Sequence, residues 1–101
     1  MKKSIYDKYI IGISYGFHDS AVALIQNGIV LNAAAYTHTS VGIADAVRSV
    51  KASTIEVHIS NTISREDYRH ISYIAPHAKG IIMGFGLYSY DLAISSFTKK
   101  L

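Results

Sequence analysis

Cysteine and tryptophan are absent from this chain of 101 residues, and proline occurs once. The missing thiol excludes disulfides, thiolate nucleophiles and sulfur-ligated metals together, but leaves the compartment open, because secreted proteins can also lack cysteine. Charge is scarce too, at 17% of residues against 50% hydrophobic ones, a balance that excludes a disordered chain. Long apolar runs are missing: none reaches the roughly 18 to 20 residues of a membrane span. The start also lacks a charged stretch followed by a continuous apolar one and a cleavage site. A soluble, cytoplasmic protein with no membrane partner is expected. Ten Lys and Arg against seven Asp and Glu give a net +3, yet the basic residues are dispersed: Lys2, Lys3 and Lys8 at one end, Lys99 and Lys100 at the other, and Arg48, Lys51, Arg65, Arg69 and Lys79 between. Without a basic face interleaved with aromatics, no nucleic-acid partner is expected.

What remains suits one domain, large enough for a core but at the small end for an independent enzyme. Tyr9 to Tyr15 and Ala21 to Gln26 are β-branched or apolar runs, and Asn27-Gly28 before Ile29-Val30-Leu31 is a strong hairpin signal. Three strands in an antiparallel meander follow from this. Ser40 can cap a helix in which Val41, Ala44, Val47 and Val50 recur at helical spacing, ending near Lys51. Thr54 to Ile59 reads as a fourth strand. Ser64 with Asp67 resembles a capping box, which predicts a helix to about His70. Pro76 makes Ile74-Ala75 extended or turning. Gly80 to Gly84 is a fifth strand, and Leu87 to about Thr98 a last helix with Leu87, Tyr90, Ile94 and Phe97 in one stripe; Lys99 and Lys100 suit its C-terminal dipole. The order β-β-β-α-β-α-β-α predicts a single three-layer α/β domain with a five-stranded mixed sheet.

The chemistry-bearing residues gather where the fourth strand ends. Val57-His58-Ile59-Ser60-Asn61, then Ser64-Arg65-Glu66-Asp67-Tyr68-Arg69, bring a histidine, hydroxyls, an amide and two guanidiniums to one turn, and open α/β sheets build ligand sites at such strand ends. With Asn32-Ala33-Ala34-Ala35-Tyr36-Thr37-His38-Thr39-Ser40 upstream and Ala78-Lys79-Gly80-Ile81-Ile82-Met83-Gly84-Phe85-Gly86 downstream, residues 29–101 resemble the type II 3-dehydroquinate dehydratases, flavodoxin-like enzymes. That resemblance implies His58 as the general acid for the departing hydroxyl. Glu56, two residues earlier on the same strand, shares its face, where a carboxylate can orient the imidazole and favour its charged form. The resemblance further implies Asn32 near the enolate oxygen, His38 on a ring hydroxyl, and Ile59 and Ser60 at the substrate carboxylate. Arg69 would grip the remaining hydroxyls, and Asp45 would reach a neighbouring subunit's site. No cofactor or metal is implied, and no histidine pair has the i, i+4 spacing of a zinc helix.

The front of the chain departs from this family. No segment of residues 1–28 carries the Asn-Leu-Asn-Leu-Leu-Gly stretch or the lid pattern with its arginine, proline and Tyr-Gly pair. Tyr15-Gly16 matches the last pair alone, and a phenol without a cation beside it is a poor base at neutral pH. Residues 9–35, with His18-Asp19-Ser20-Ala21 in a turn between two strands, instead resemble the first strands of carbamoyltransferases with an actin-like ATPase core. This implies a ribonuclease H-like N-terminal β-meander, formed by a grafted hairpin segment (1–28), joined to a flavodoxin-like half (29–101). If the strand of Asn32 keeps flavodoxin-like neighbours, the sheet order is 1-2-3-4-5; if the front hairpin dictates, it is 3-2-1-4-5.

Three functions remain open on this reading. The leading expectation is an artificial or rearranged chimeric protein without native activity. The others are a residual binding module for small anions and a working 3-dehydroquinate dehydratase. The resemblance implies oligomeric relatives, and the surfaces kept here predict a homo-oligomer, most simply a dimer.

Overall fold

The computed structural model describes residues 20–25 and 28–98. Four strands form one mixed sheet in chain order: β1 (Ala21–Ile25), β2 (Gly28–Asn32), β3 (Ser53–His58) and β4 (Gly80–Met83). β1 and β2 are antiparallel, with Ala21 opposite Asn32 and Ile25 opposite Gly28, so the connection is the two residues 26 and 27. β2 to β3 and β3 to β4 are parallel, with Val30 opposite Ile55 and Val57 opposite Ile82. The hairpin expected at Asn27-Gly28 is present, but Gly28 is already a strand residue. Packing explains the glycine there: a Cβ at this position would lie 2.7 Å from the Phe97 ring.

Direct pairing of β2 with β3 agrees with the first of the two expected orders at this point, and it excludes the order in which the front strand separates them. Where five strands were expected, four are present among the described residues. The expected strand at Tyr9 to Tyr15, the His18-Asp19-Ser20 turn, Lys99 and Lys100 lie outside them. Of the expected ribonuclease H-like meander, only the β1–β2 hairpin falls within them, and a hairpin alone does not distinguish that fold.

Among the described residues two α-helices cover the sheet, α1 (Val41–Ser49) and α2 (Tyr88–Thr98). Ser40 starts α1 as expected, its Oγ accepting from Ile43 N at 3.0 Å and satisfying one of the free N–H groups of the first turn. The buried stripe is narrower than the spacing suggested: Ala44 and Val47 face inward, while Val41 and Val50 are exposed. On α2, Tyr90, Ala93, Ile94 and Phe97 pack on the sheet, whereas Leu87 precedes the helix and is exposed.

Alternation along the strands divides the core into two halves. One side of the sheet presents Ile25, Val30, Ile55 and Val57 to α2. The other gathers Leu31, Ala33, Ile43, Val47 and Ile74 beneath α1 and the long loop after β3. Val57 and Ile74 are fully buried, each worth roughly 1.5–3 kcal/mol in water exclusion.

No helix forms between Ser64 and His70. Two 3₁₀ turns, Thr62–Ser64 and Asp67–Arg69, occupy that stretch, separated by extended Arg65 and Glu66. Asn61 is the residue that caps, its Oδ1 accepting from Ile63 N at 3.1 Å, while the Ser64 hydroxyl donates back to the Asn61 carbonyl at 2.8 Å. Short polar side chains that bond neighbouring backbone compete with helix formation, and this segment offers no apolar stripe to favour the helix. Pro76 sits in a further 3₁₀ turn, Ala75–His77, the turning geometry expected there.

Candidate active site

β3, like β2, has neighbours on both edges, and Thr54 to His58 are all buried. Alternation sends Val57 toward α2 and Glu56 and His58 toward the opposite layer. A carboxylate 1% exposed is costly unless its oxygens are partnered, and both are. Oε2 lies 2.5 Å from His58 Nε2, and Oε1 accepts from the Ser72 hydroxyl at 2.6 Å. The Ser72 oxygen in turn accepts from the N–H groups of Ile74 at 3.1 Å and Ala75 at 2.9 Å. With Nε2 turned to Glu56, His58 Nδ1 has no partner among the described residues and is the ring atom available to a bound molecule.

His38 stands beside this pair. Its ring stacks on that of His58, centroids 6.3 Å apart and planes 15° from parallel. Nδ1 of His38 is 2.7 Å from the Ile71 carbonyl; because a carbonyl only accepts, Nδ1 carries the proton and Nε2 is left as an acceptor.

Asn32, the last residue of β2, shares the side of Val30 rather than that of Leu31, so its side chain lies across the sheet from Glu56 and His58. Its Oδ1 accepts from Ala34 N at 2.9 Å, and its Nδ2 donates to the Tyr90 hydroxyl at 2.9 Å. Ala34 is held at φ 52°, a left-handed conformation that alanine rarely adopts. One Nδ2 hydrogen of Asn32 remains uncommitted by these two bonds.

The remaining candidates form a polar rim after β3. Gly84 N donates to the His58 carbonyl at 3.2 Å and Gly86 N to the Ile59 carbonyl at 3.0 Å, tying the loop after β4 to the turn after β3. Gly84 and Gly86 do this at φ 96° and 61°, where a side chain would be strained. Ser60 is exposed and accepts from Arg65 Nη1 at 3.3 Å. Arg69 lies over the Tyr68 ring at 5.0 Å and is held in a close ion pair with Glu66. The Arg69 hydrogen bond keeps the Glu66 carboxyl below the usual carboxylate range, against an opposing desolvation. Asp45 is on the exposed side of α1, with no ion pair among the described residues.

Of the residues singled out in the sequence, Glu56, His58 and His38 therefore form one cluster. Ser60 and Arg69 rim it, Asn32 is at the same sheet end on the other side, and Asp45 stands apart. Two polar partners were missed. Ser72 carries no periodic signal, and Tyr90 read as part of an apolar stripe although its hydroxyl ends on Asn32. Among the described residues no three His, Cys, Asp or Glu side chains converge as a metal would require, and no helix is long and apolar enough to cross a membrane.

Comparison with known proteins gives a consistent pattern. A family model described as dehydroquinase class II matches residues 13–98. A 3-dehydroquinate dehydratase of Gloeothece citriformis (strain PCC 7424) is 55% identical over 80 residues, covering 76% of this chain and 53% of that protein. One from Jannaschia sp. (strain CCS1) is 48% identical over 76 residues, covering 75% and 51%. The crystal structure of type II dehydroquinase from Butyrivibrio crossotus DSM 2876 superposes with a TM-score of 0.70 at 49% identity, covering 71% of this chain and 50% of the other. That from Propionibacterium acnes gives 0.70 at 44%, covering 72% and 54%. The chain thus spans about half the length of the curated relatives it matches. These similarities overturn the expectation of an artificial or rearranged chain without native activity. That expectation let the missing lid pattern outweigh the rest of the chain.

Proposed function

The chain belongs to the class II dehydroquinase family, and from this we propose that it acts as a 3-dehydroquinate dehydratase, a lyase removing water from 3-dehydroquinate to give 3-dehydroshikimate. The observation that carries the reading is the buried pairing of Glu56 with His58 at the end of β3, with Nδ1 of the ring left for a ligand. An enolate route to dehydration needs an acceptor for the proton beside the ketone, a donor near the enolate oxygen, and an acid for the leaving hydroxyl.

In this reading His58 is the acid. Its Nδ1–H gives a proton to the departing hydroxyl as the C–O bond breaks, the bonding pair leaving with oxygen as water. The ring ends neutral, its Nε2–H still on Glu56. The free Nδ2 hydrogen of Asn32 serves a water or the substrate near the enolate oxygen. His38 Nε2 accepts from a ring hydroxyl. Ile59 and Ser60 receive the substrate carboxylate, and Arg69 takes the remaining hydroxyls after exchanging Glu66 for substrate. Among the described residues Tyr36, Tyr68, Tyr73 and Tyr88 are exposed and Tyr90 is engaged by Asn32. None of these contacts assigns the proton acceptor, and Tyr15 of the Tyr15-Gly16 pair, outside the described residues, is the residue to replace first. Asp45, exposed on α1, is assigned to a neighbouring subunit's site.

Addition of 3-dehydroquinate to the purified chain should raise the enone absorbance of dehydroshikimate; a flat trace at high protein concentration would refute the assignment. The same reading carries self-association, supported by exposed Tyr36, Val41, Ile63, Phe85 and Leu87. Sedimentation at tens of micromolar should give a dimer or larger species, and a monomer would refute it. A cytoplasmic location belongs to the same reading.

A further inference from the structure

Ser72, half-buried, ends the polar chain that runs from His58 through Glu56, and no step of the proposed reaction draws on it. Its oxygen has two lone pairs and one proton. Both lone pairs are taken, by Ile74 N at 3.1 Å and Ala75 N at 2.9 Å, and the proton goes to Glu56 Oε1 at 2.6 Å. The two backbone donors belong to the turn around Pro76, and Ile74 itself is fully buried in the core beneath α1. The hydroxyl direction is thus set by main chain anchored in the core.

A consequence follows for the proton on the other side of the carboxylate. Glu56 cannot donate to Ser72, because no lone pair is left there to receive. Oε1 is an acceptor, so any proton between the two side chains lies on the line from Oε2 to His58 Nε2, 2.5 Å long; imidazole is ordinarily a stronger base than a carboxylate, which makes the ring's Nε2–H the donor. We propose that Ser72 is a positioning residue: it holds Glu56 as an acceptor at both oxygens, which keeps a proton on His58 Nε2 and turns Nδ1 toward the substrate. Its catalytic meaning rests on the dehydratase reading, but the hydrogen-bond chain itself does not.

The test reads the imidazole rather than turnover. In protein carrying ¹⁵N-labelled histidine, the Nε2–H of His58 should appear as a slowly exchanging downfield resonance, since it sits in a short bond to a buried carboxylate. In Ser72→Ala its exchange with water should accelerate about tenfold or more, the loss expected from removing one hydrogen bond to a charged group. Ser72→Thr, which retains the hydroxyl, should restore slow exchange. An unchanged exchange rate in folded Ser72→Ala would overturn the proposal. Should that variant not fold, Ser72→Cys keeps the volume with a weak donor, and wild-type exchange there would overturn it equally. If turnover is present, kcat should fall with KM little changed in Ser72→Ala. A missing turnover with the expected exchange behaviour would count against the dehydratase reading alone.

Discussion

His58 Nε2 and Glu56 Oε2 lie 2.5 Å apart in a site where both side chains are more than nine-tenths buried. A carboxylate so placed costs several kcal/mol of desolvation, which the imidazole and the Ser72 hydroxyl offset by bonding both oxygens. Glu56→Gln keeps the shape but supplies a donor where two donors already point. Destabilisation of about 1–3 kcal/mol is expected in denaturant unfolding, together with a fall in kcat of the order of 10². Wild-type stability and rate in this variant would mean that the pair is only packed, not used.

Tyr90→Phe removes the acceptor of Asn32 Nδ2 and leaves a mostly buried amide short of a partner. A loss of about 1–2 kcal/mol is expected, with KM raised more than kcat is lowered, since Asn32 would swing without its hydroxyl anchor. An unchanged KM in steady-state kinetics would detach Asn32 from substrate binding.

Gly28 owes its place to the Phe97 ring, 2.7 Å from where a Cβ would stand. Gly28→Ala should destabilise by about 1–3 kcal/mol through overpacking. Adding Phe97→Leu should recover part of that loss, because neighbours in contact are not additive. Simple additivity of the two substitutions would show that the ring moves freely.

The Arg69 hydrogen bond lowers the Glu66 carboxyl, so this ion pair is present above the unfolded glutamate's titration and is lost as pH falls through the lowered one. Both side chains are partly exposed and the contribution to stability is small. An NMR titration of the Glu66 side chain should show a midpoint below that of an unperturbed glutamate, moving up in Arg69→Gln. No movement would mean that Arg69 is already free of Glu66 in solution.

Much of the scaffold was readable from local pattern. The hairpin before β2, the Ser40 cap and the α2 stripe from Tyr90 to Phe97 all follow from spacing and turn chemistry, and strand parity puts Glu56 and His58 on one face. The failures have a common physical origin. Ser64 to His70 carries a local cap pattern that predicts a helix, whereas its side chains bond backbone within two short turns. Val41, Val50 and Leu87 fit a helical period but face solvent, since period alone does not say how wide the buried stripe is. Ser72 joins the site through a contact 16 residues away in sequence, and Tyr90 through one 58 residues away, distances over which no periodicity speaks. The functional expectation fails for a different reason: one absent lid pattern says less about function than an ordered series of site residues.

His58 is the group proposed to protonate the leaving hydroxyl. The most direct measurement is the initial rate of enone formation from 3-dehydroquinate by the wild-type chain and by His58→Gln, matched for folding by their amide spectra. A wild-type rate above the buffer control that falls about 10²-fold or more in the variant is the expected result. Equal rates, or no wild-type turnover at all, would contradict it.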